Sequence, residues 1–366
     1  MKNAARQRSA AMDVIRCLAL FGVVSAHFFV YTGYLNTTLV GSRLYLFTVI
    51  RSVSRTCVPL FLMLSGYFLK NKQPTRQYYQ KLIRTVSLYF LASGCCYLYK
   101  HGLSGTVSGY LLDTLGYQAA TYSWYMEMYL GLFLLIPYLN ILYNGLPGKE
   151  SRGRLILTLL LLTSVTKVFN CFQYSPETGL QLVRDVTQIR VILPTWWQNL
   201  YPATYYLLGA WLKDYSLKIS RKWNVLLLLL AAIGGGTLDF AFSYGHEYIA
   251  GPWQDLDSLQ NVIQSVLLFR LLSGLEFKWI SGRPAKFLSR ISELTLSAFL
   301  VSCIFDQIIY SELIRYQPVV AHRLLWYPVT TVLVFTASLL LAWILEGLYQ
   351  LIAAAAGSVY CRIRAR

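Results

Sequence analysis

Charge is what this chain has least of. Charged residues make up 13% of its 366 positions and hydrophobic ones 56%, a balance that excludes a soluble globular protein of this length. Acids are the scarcer sign, 16 against 33 lysines and arginines, which leaves a formal charge of +17. Such an excess can mark a nucleic-acid binder, but here the basic residues sit between long apolar runs, as in the loops of a multi-pass membrane protein. Nucleic acid is therefore not an expected partner. Cysteine is sparse as well: seven residues, most of them inside apolar runs and none in a CxxC pair, so neither a metal site nor a disulfide framework is expected. The adjacent Cys95 and Cys96 read as packing residues. The chain has no glycine-rich phosphate loop, no HExxH, no GxSxG, no internal repeat and no appended soluble domain, so residues 1–366 read as a single transmembrane domain whose function lies in the bundle and its short loops.

What is present is apolar sequence in lengths that suit a bilayer, roughly twenty residues at about 1.5 Å each. Ten stretches qualify: 12–34, 44–69, 82–99, 122–143, 155–170, 197–212, 224–242, 258–275, 291–310 and 326–352, the fifth and sixth being short. The segments "MKNAARQR", "KNKQPTRQYYQK", "GKESRGR", "KDYSLKISRK", "EFKWISGRPAKFLSR" and "CRIRAR" hold most of the lysines and arginines. The segments near 35–43, 100–121, 171–196, 243–257 and 311–325 hold few, and "HEYIAGPWQDLD" is acidic. The positive-inside rule then places the basic set and both termini in the cytoplasm. The expected fold is all-α: a polytopic membrane helix bundle of about ten transmembrane helices in the cell membrane. The first apolar run is too long for a signal peptide and has no clear small-residue cleavage site, so it should remain uncleaved.

That first span carries two ionisable residues, Arg16 near its cytoplasmic end and His27 deep toward the outer side. Eleven steps of about 100° return almost to the same face, so the two share one stripe, roughly 16 Å apart in depth. Either one alone reads as a snorkelling arginine or a packed histidine. Two on one stripe point to a polar cavity or a partner.

At these residues the chain resembles the acyltransferase 3 family of integral membrane acyltransferases. The family signature on the first span is an arginine, ten residues and a histidine, preceded by an aspartate, and Asp13, Arg16 and His27 match it. "SRTCVPLFLMLSGYFL" (54–69) is similar to the family's second span, and "KLIRTVSLYF" (81–90) resembles its Arg-x-x-Arg stretch with Lys81 in place of the first arginine. "SWYMEMYLGLFLLIPYLN" (123–140) and "YYLLGAWL" (205–212) resemble later segments. The chain departs from the family at 297–310, "SAFLVSCIFDQIIY", which lacks the histidine that many relatives carry there.

The resemblance implies transfer of an acyl group, acetyl above all, from cytoplasmic acyl-CoA to a hydroxyl or amine of an extracytoplasmic glycan or lipid-linked sugar. An O-acetyltransferase acting on a polysaccharide is the leading form of it. Acyl transfer needs a base or an acyl-carrying nucleophile, and His27 suits either role. The phosphates of the donor need fixed cations at the cytoplasmic mouth, for which Arg16, Lys81 and Arg84 are available; ordinary positive-inside charge is the plainer reading of Lys81. Glu127, at a depth comparable to that of His27 by helical rise, is the candidate to orient its ring.

Arg51 and Arg55, one turn apart, would hold an anionic acceptor or a developing oxyanion, or else pair structurally with Asp239 or Asp306. Trp124, with Tyr122 and "PTWW" (194–197), would stack on sugar rings, or belong to an interfacial aromatic belt. If the donor reaches through the membrane, Ala19, Leu20 and Val23 on the shared stripe should line its passage. Two other classes of function stay open. One is an amino-acid or small-solute transporter related to the membrane domain of membrane-bound serine racemases, which broken-helix pairs or inverted repeats would favour. The other is a non-catalytic glycolipid-binding protein. Oligomeric state is not legible.

Overall fold

The computed structural model describes residues 10–170, 172–177, 179–182, 193–249, 251–277 and 280–364. The N-terminal basic segment, residues 183–192 of the third external segment, Lys278 and Trp279, and the last two residues of the basic tail lie outside them. Lipid offers the backbone no hydrogen bonds, so apolar runs of this length close their own ladders as helices. In chain order these are α1 (Ala10–Tyr31), α2 (Ser42–Ser54), α3 (Cys57–Leu69), α4 (Arg76–His101), α5 (Val107–Leu115), α6 (Trp124–Gly145), α7 (Gly148–Leu160), α8 (Thr166–Asn170), α9 (Tyr201–Asp214), α10 (Arg221–Ser243), α11 (Leu259–Ser273), α12 (Arg283–Tyr316), α13 (Val320–Arg323) and α14 (Tyr327–Arg364). A four-residue antiparallel hairpin, β1 (Phe172–Ser175) with β2 (Gly179–Leu182), stands outside the helical bundle.

Eight helical stretches are long and apolar enough to cross a bilayer: Ala10–Asn36, Ser42–Leu69, Arg76–Ser104, Trp124–Gly145, Gly148–Asn170, Arg221–Ser243, Arg283–Tyr316 and Val320–Ala355. The ten expected spans thus reduce to eight long ones. The other two are α9 and α11, of 14 and 15 residues, or about 21–23 Å at the α-helical rise, against a hydrocarbon core of about 30 Å. Their apolar character has a different cause. Pro202 to Ala210 of α9 are all buried, so this segment is apolar because protein surrounds it.

The bundle is built around α1, which packs against α2, α3, α11, α12 and α14. Two prolines set local geometry. Pro59 cannot donate to the carbonyl of Arg55, and the second span divides there into α2 and α3; the freed carbonyl accepts from Asn261 Nδ2 of α11 at 3.2 Å. Pro137 lies inside α6 without dividing it, and the carbonyl four residues back, Phe133, accepts from the Tyr78 hydroxyl of α4 at 2.7 Å. Each broken backbone bond is answered by a side chain of a neighbouring helix, as an apolar surrounding demands. At the end of the bundle that the charge rule assigns to the cytoplasm, Asp214 gathers Lys70, Arg152 Nη1 at 3.1 Å and the Tyr143 hydroxyl at 3.2 Å, tying α3, α6, α7 and α9 together.

Helices α3 and α9 cross at close range. A Cβ added at Gly66 would lie 1.7 Å from the Tyr206 carbonyl oxygen, and one at Gly209 would lie 1.9 Å from that of Met63. Backbone sits on the far side in both cases, so nothing flexible can yield. Gly66→Ala and Gly209→Ala should therefore each destabilise the bundle by about 2 kcal/mol or more. Gly131→Ala, at a helix position with open space around it, should be neutral or stabilising by up to ~1 kcal/mol. Thermal unfolding of the purified protein in detergent checks the contrast.

Candidate active site

His27 stands in the second half of α1, its side chain 17% exposed, with Nδ1 3.1 Å from Oδ2 of Asp306. Asp306 comes from α12 and has no exposed surface. The Tyr122 hydroxyl, just ahead of α6, donates to the same carboxylate oxygen at 2.5 Å. The Tyr122 ring stacks on the imidazole, centroids 3.8 Å apart and planes 19° from parallel, and Tyr31 meets the imidazole edge-on at 6.4 Å. Where the carboxylate accepts from Nδ1–H, as it accepts from the Tyr122 hydroxyl, Nε2 keeps its lone pair. The ring is thus oriented by one carboxylate and held flat by one phenol, the arrangement that makes a histidine an effective base.

This corrects the expectation for Glu127. Its depth in the fourth span was the ground for placing it beside His27, but depth does not fix azimuth. Tyr125 and Met126 are buried and Glu127, one step further on, is exposed; the carboxylate within bonding distance of His27 is that of Asp306. Asp306 takes that place instead. The signal was in the sequence: an aspartate in the middle of an apolar span needs a partner.

Two cavities flank the deeper half of α1. The outer one, about 240 Å³, is lined by His27, Arg51, Arg55, Trp124, Val30 and Leu256 among others, so the three residues expected to hold an acceptor share one chamber with the histidine. Neither arginine pairs with Asp239 or Asp306 among the described salt bridges. Asp239 instead accepts from Trp253 Nε1 at 2.9 Å, and the structural pairing considered for these arginines is not formed.

The inner cavity, about 280 Å³, is lined by Arg16, Arg84, Ser65, Tyr125, Tyr129, Ser292 and Glu293 among others. Arg16 Nη1 donates to Ser292 Oγ at 3.3 Å, and Arg84 pairs with Glu346 at 2.6 Å while its side chain remains 49% exposed. Lys81 is exposed and does not line this cavity, although it stands within one turn of Arg84 on α4. Val23, Val58 and Phe299 line both chambers and form the partition between them. Of the three stripe residues expected along a passage, Val23 lines it. Ala19 and Leu20 are fully buried and contribute to neither lining.

The family model described as "Acyltransferase domain", that of acyltransferase 3, matches residues 9–346. The chain belongs to the acyltransferase 3 family. Comparisons with curated proteins and with solved structures found no match. As an acyltransferase 3 protein the chain is a multi-pass membrane protein of an acyltransferase family, and its family signature residues Arg16 and His27 open onto the two chambers. Asp306, which orients the histidine, lies in the segment where the chain lacks the family's late histidine.

Two outcomes follow from this geometry. Asp306→Asn, which puts an amide against Nδ1 and disfavours the tautomer, should lower acyl-transfer turnover by about a hundredfold or more, whereas Glu127→Gln should leave it unchanged. Side-by-side rates of labelled acyl transfer decide. Val23→Trp should fill the partition and stop transfer while thermal stability is kept. An active, folded Val23→Trp protein would refute a passage there.

Proposed function

We propose that this acyltransferase 3 protein moves an acyl group, acetyl in the first instance, from acyl-CoA on the cytoplasmic side to a hydroxyl or amine of a glycan or lipid-linked sugar on the outer side of the cell membrane. The observation that carries the reading is the pair of cavities meeting at Val23, Val58 and Phe299, one with the cations Arg16 and Arg84 and the other with an oriented histidine. The donor phosphates belong with the arginines, for which guanidinium is the matched partner. The thioester then extends toward the partition on a flexible arm, over a depth of ~16 Å given by eleven residues of helical rise. Lys81, outside the chamber, is left out of this assignment.

In the transfer step the acceptor oxygen or nitrogen attacks the thioester carbonyl and its proton passes to His27 Nε2. Collapse of the tetrahedral intermediate breaks the carbon–sulfur bond, and the departing CoA sulfur takes the proton from the imidazolium. Asp306 holds the imidazolium in place through both transfers, and Tyr122 fixes the carboxylate. Transport is the weaker reading. The second span is broken at Pro59, but the described residues hold no matching broken span in a second half, the arrangement that alternating access through repeats requires. Surrounding bilayer lipid is the only other partner the reading needs.

His27→Ala should lower transfer from labelled acetyl-CoA by about 10²-fold or more while leaving CoA binding and thermal stability intact. Transfer and binding measured on the same purified sample test this, and a variant that keeps more than about a tenth of wild-type turnover would remove His27 from the chemistry.

A further inference from the structure

The outer chamber is basic beyond what a neutral sugar needs. Arg51 is anchored by neutral groups: Nη1 donates to the Tyr248 hydroxyl and to Gln254 Oε1 at 3.5 Å, and the guanidinium lies 4.2 Å over the Tyr248 ring. Arg55, one turn further along at the break between α2 and α3, makes no side-chain hydrogen bond or ion pair among the described residues, and its Nε is buried without a partner. Acidic groups near the pair are few. Asp239 shares with Arg55 a small polar recess of about 10 Å³, room for about one water and no more, and accepts from Trp253. Asp255 and Asp257 both pair with Lys167, at 2.5 and 2.7 Å. Setting Asp239 against one arginine leaves the other in excess, and no acidic residue lines the chamber that Arg55 shares with His27.

We infer that the acceptor is acidic and that its carboxylate or phosphate seats on Arg55, which places the acyl-accepting hydroxyl or amine beside His27. A partly buried guanidinium with no counter-ion is costly, and a ligand that supplies the anion removes that cost. Guanidinium presents paired N–H groups in the plane that carboxylate and phosphate oxygens match. Arg51, already engaged by Tyr248 and Gln254, raises the positive potential without competing for the anion. Trp124 on the same wall offers a face for the sugar ring. This inference rests on the acyl-transfer reading only for the role of the bound molecule, since the preference for an anion is measurable by binding alone.

The test uses three probes on the purified full-length protein in detergent, wild type and His27→Ala: methyl glucuronide, methyl glucoside 6-phosphate and neutral methyl glucoside, by titration calorimetry. One or both anionic probes should bind about tenfold or more tightly than the neutral one, in His27→Ala as in wild type. Whether carboxylate or phosphate ranks higher identifies the anion. The preference should collapse in Arg55→Gln and survive in part in Arg55→Lys, the variant to use if the glutamine protein fails to fold. Equal affinity for all three probes, no binding of either anion, or a preference that outlives loss of the guanidinium would overturn the inference. In transfer assays Arg55→Gln should raise KM for the anionic acceptor more than it lowers kcat. A loss confined to kcat would instead assign Arg55 to the tetrahedral oxyanion and also overturn it. A wild-type protein that binds the anions selectively yet transfers nothing from acetyl-CoA would defeat the transfer reading and leave the anion site standing.

Discussion

A carboxyl group without solvent, in the middle of an apolar bundle, is the constraint from which the centre of this molecule is organised. Asp306 has no exposed surface, and it is tolerable there because His27 and Tyr122 both meet one of its oxygens. These three residues come from α12, from α1 and from the segment entering α6, so satisfying one carboxyl group fixes the mutual position of three spans. The same contact sets the tautomer of the imidazole. What stabilises the carboxylate and what would make the histidine reactive are therefore one arrangement, and neither can be altered alone.

Around this arrangement lie two cavities that share three lining residues. The partition is thin and apolar, made by Val23, Val58 and Phe299. Two arginines line the cavity on one side of it and the histidine the cavity on the other.

Much of the scaffold was legible in the sequence because the bilayer imposes a simple demand: long apolar runs, basic residues gathered in alternate loops. Where length and burial diverge, composition misleads. The segment at 197–212 is apolar because protein surrounds it, and its 14-residue helix, like the 15-residue helix within 258–275, is short for a span. The site divides in the same way. The stripe from Arg16 to His27 depends on one helix and its period, so it was readable. That Arg51, Arg55 and Trp124 line one cavity with His27 was not legible, since their candidacy rested on residue type and not on any computed neighbour. Glu127 shows the limit, since the rotation of one helix against another is set by packing of side chains distant in the sequence, and Lys81 shows that sharing a face with Arg84 does not bring a side chain into the same cavity. Asp306 was visible as a buried acid, but which helix would answer it was not. The break near Pro59 was not read from the sequence, where the run 44–69 forms one span by hydropathy.

One long rod, α12, deserves a mechanical reading. Within it Ser292 touches Arg16, Glu293 lines the inner chamber, Phe299 belongs to the partition and Asp306 holds the histidine. From the first of these to the last is about 21 Å of uninterrupted α-helix, and a helix transmits rotation as a rigid shaft does. A change on α2 alters one wall by itself, whereas one altered register of α12 would shift its contacts with Arg16, the partition and His27 in a single stroke.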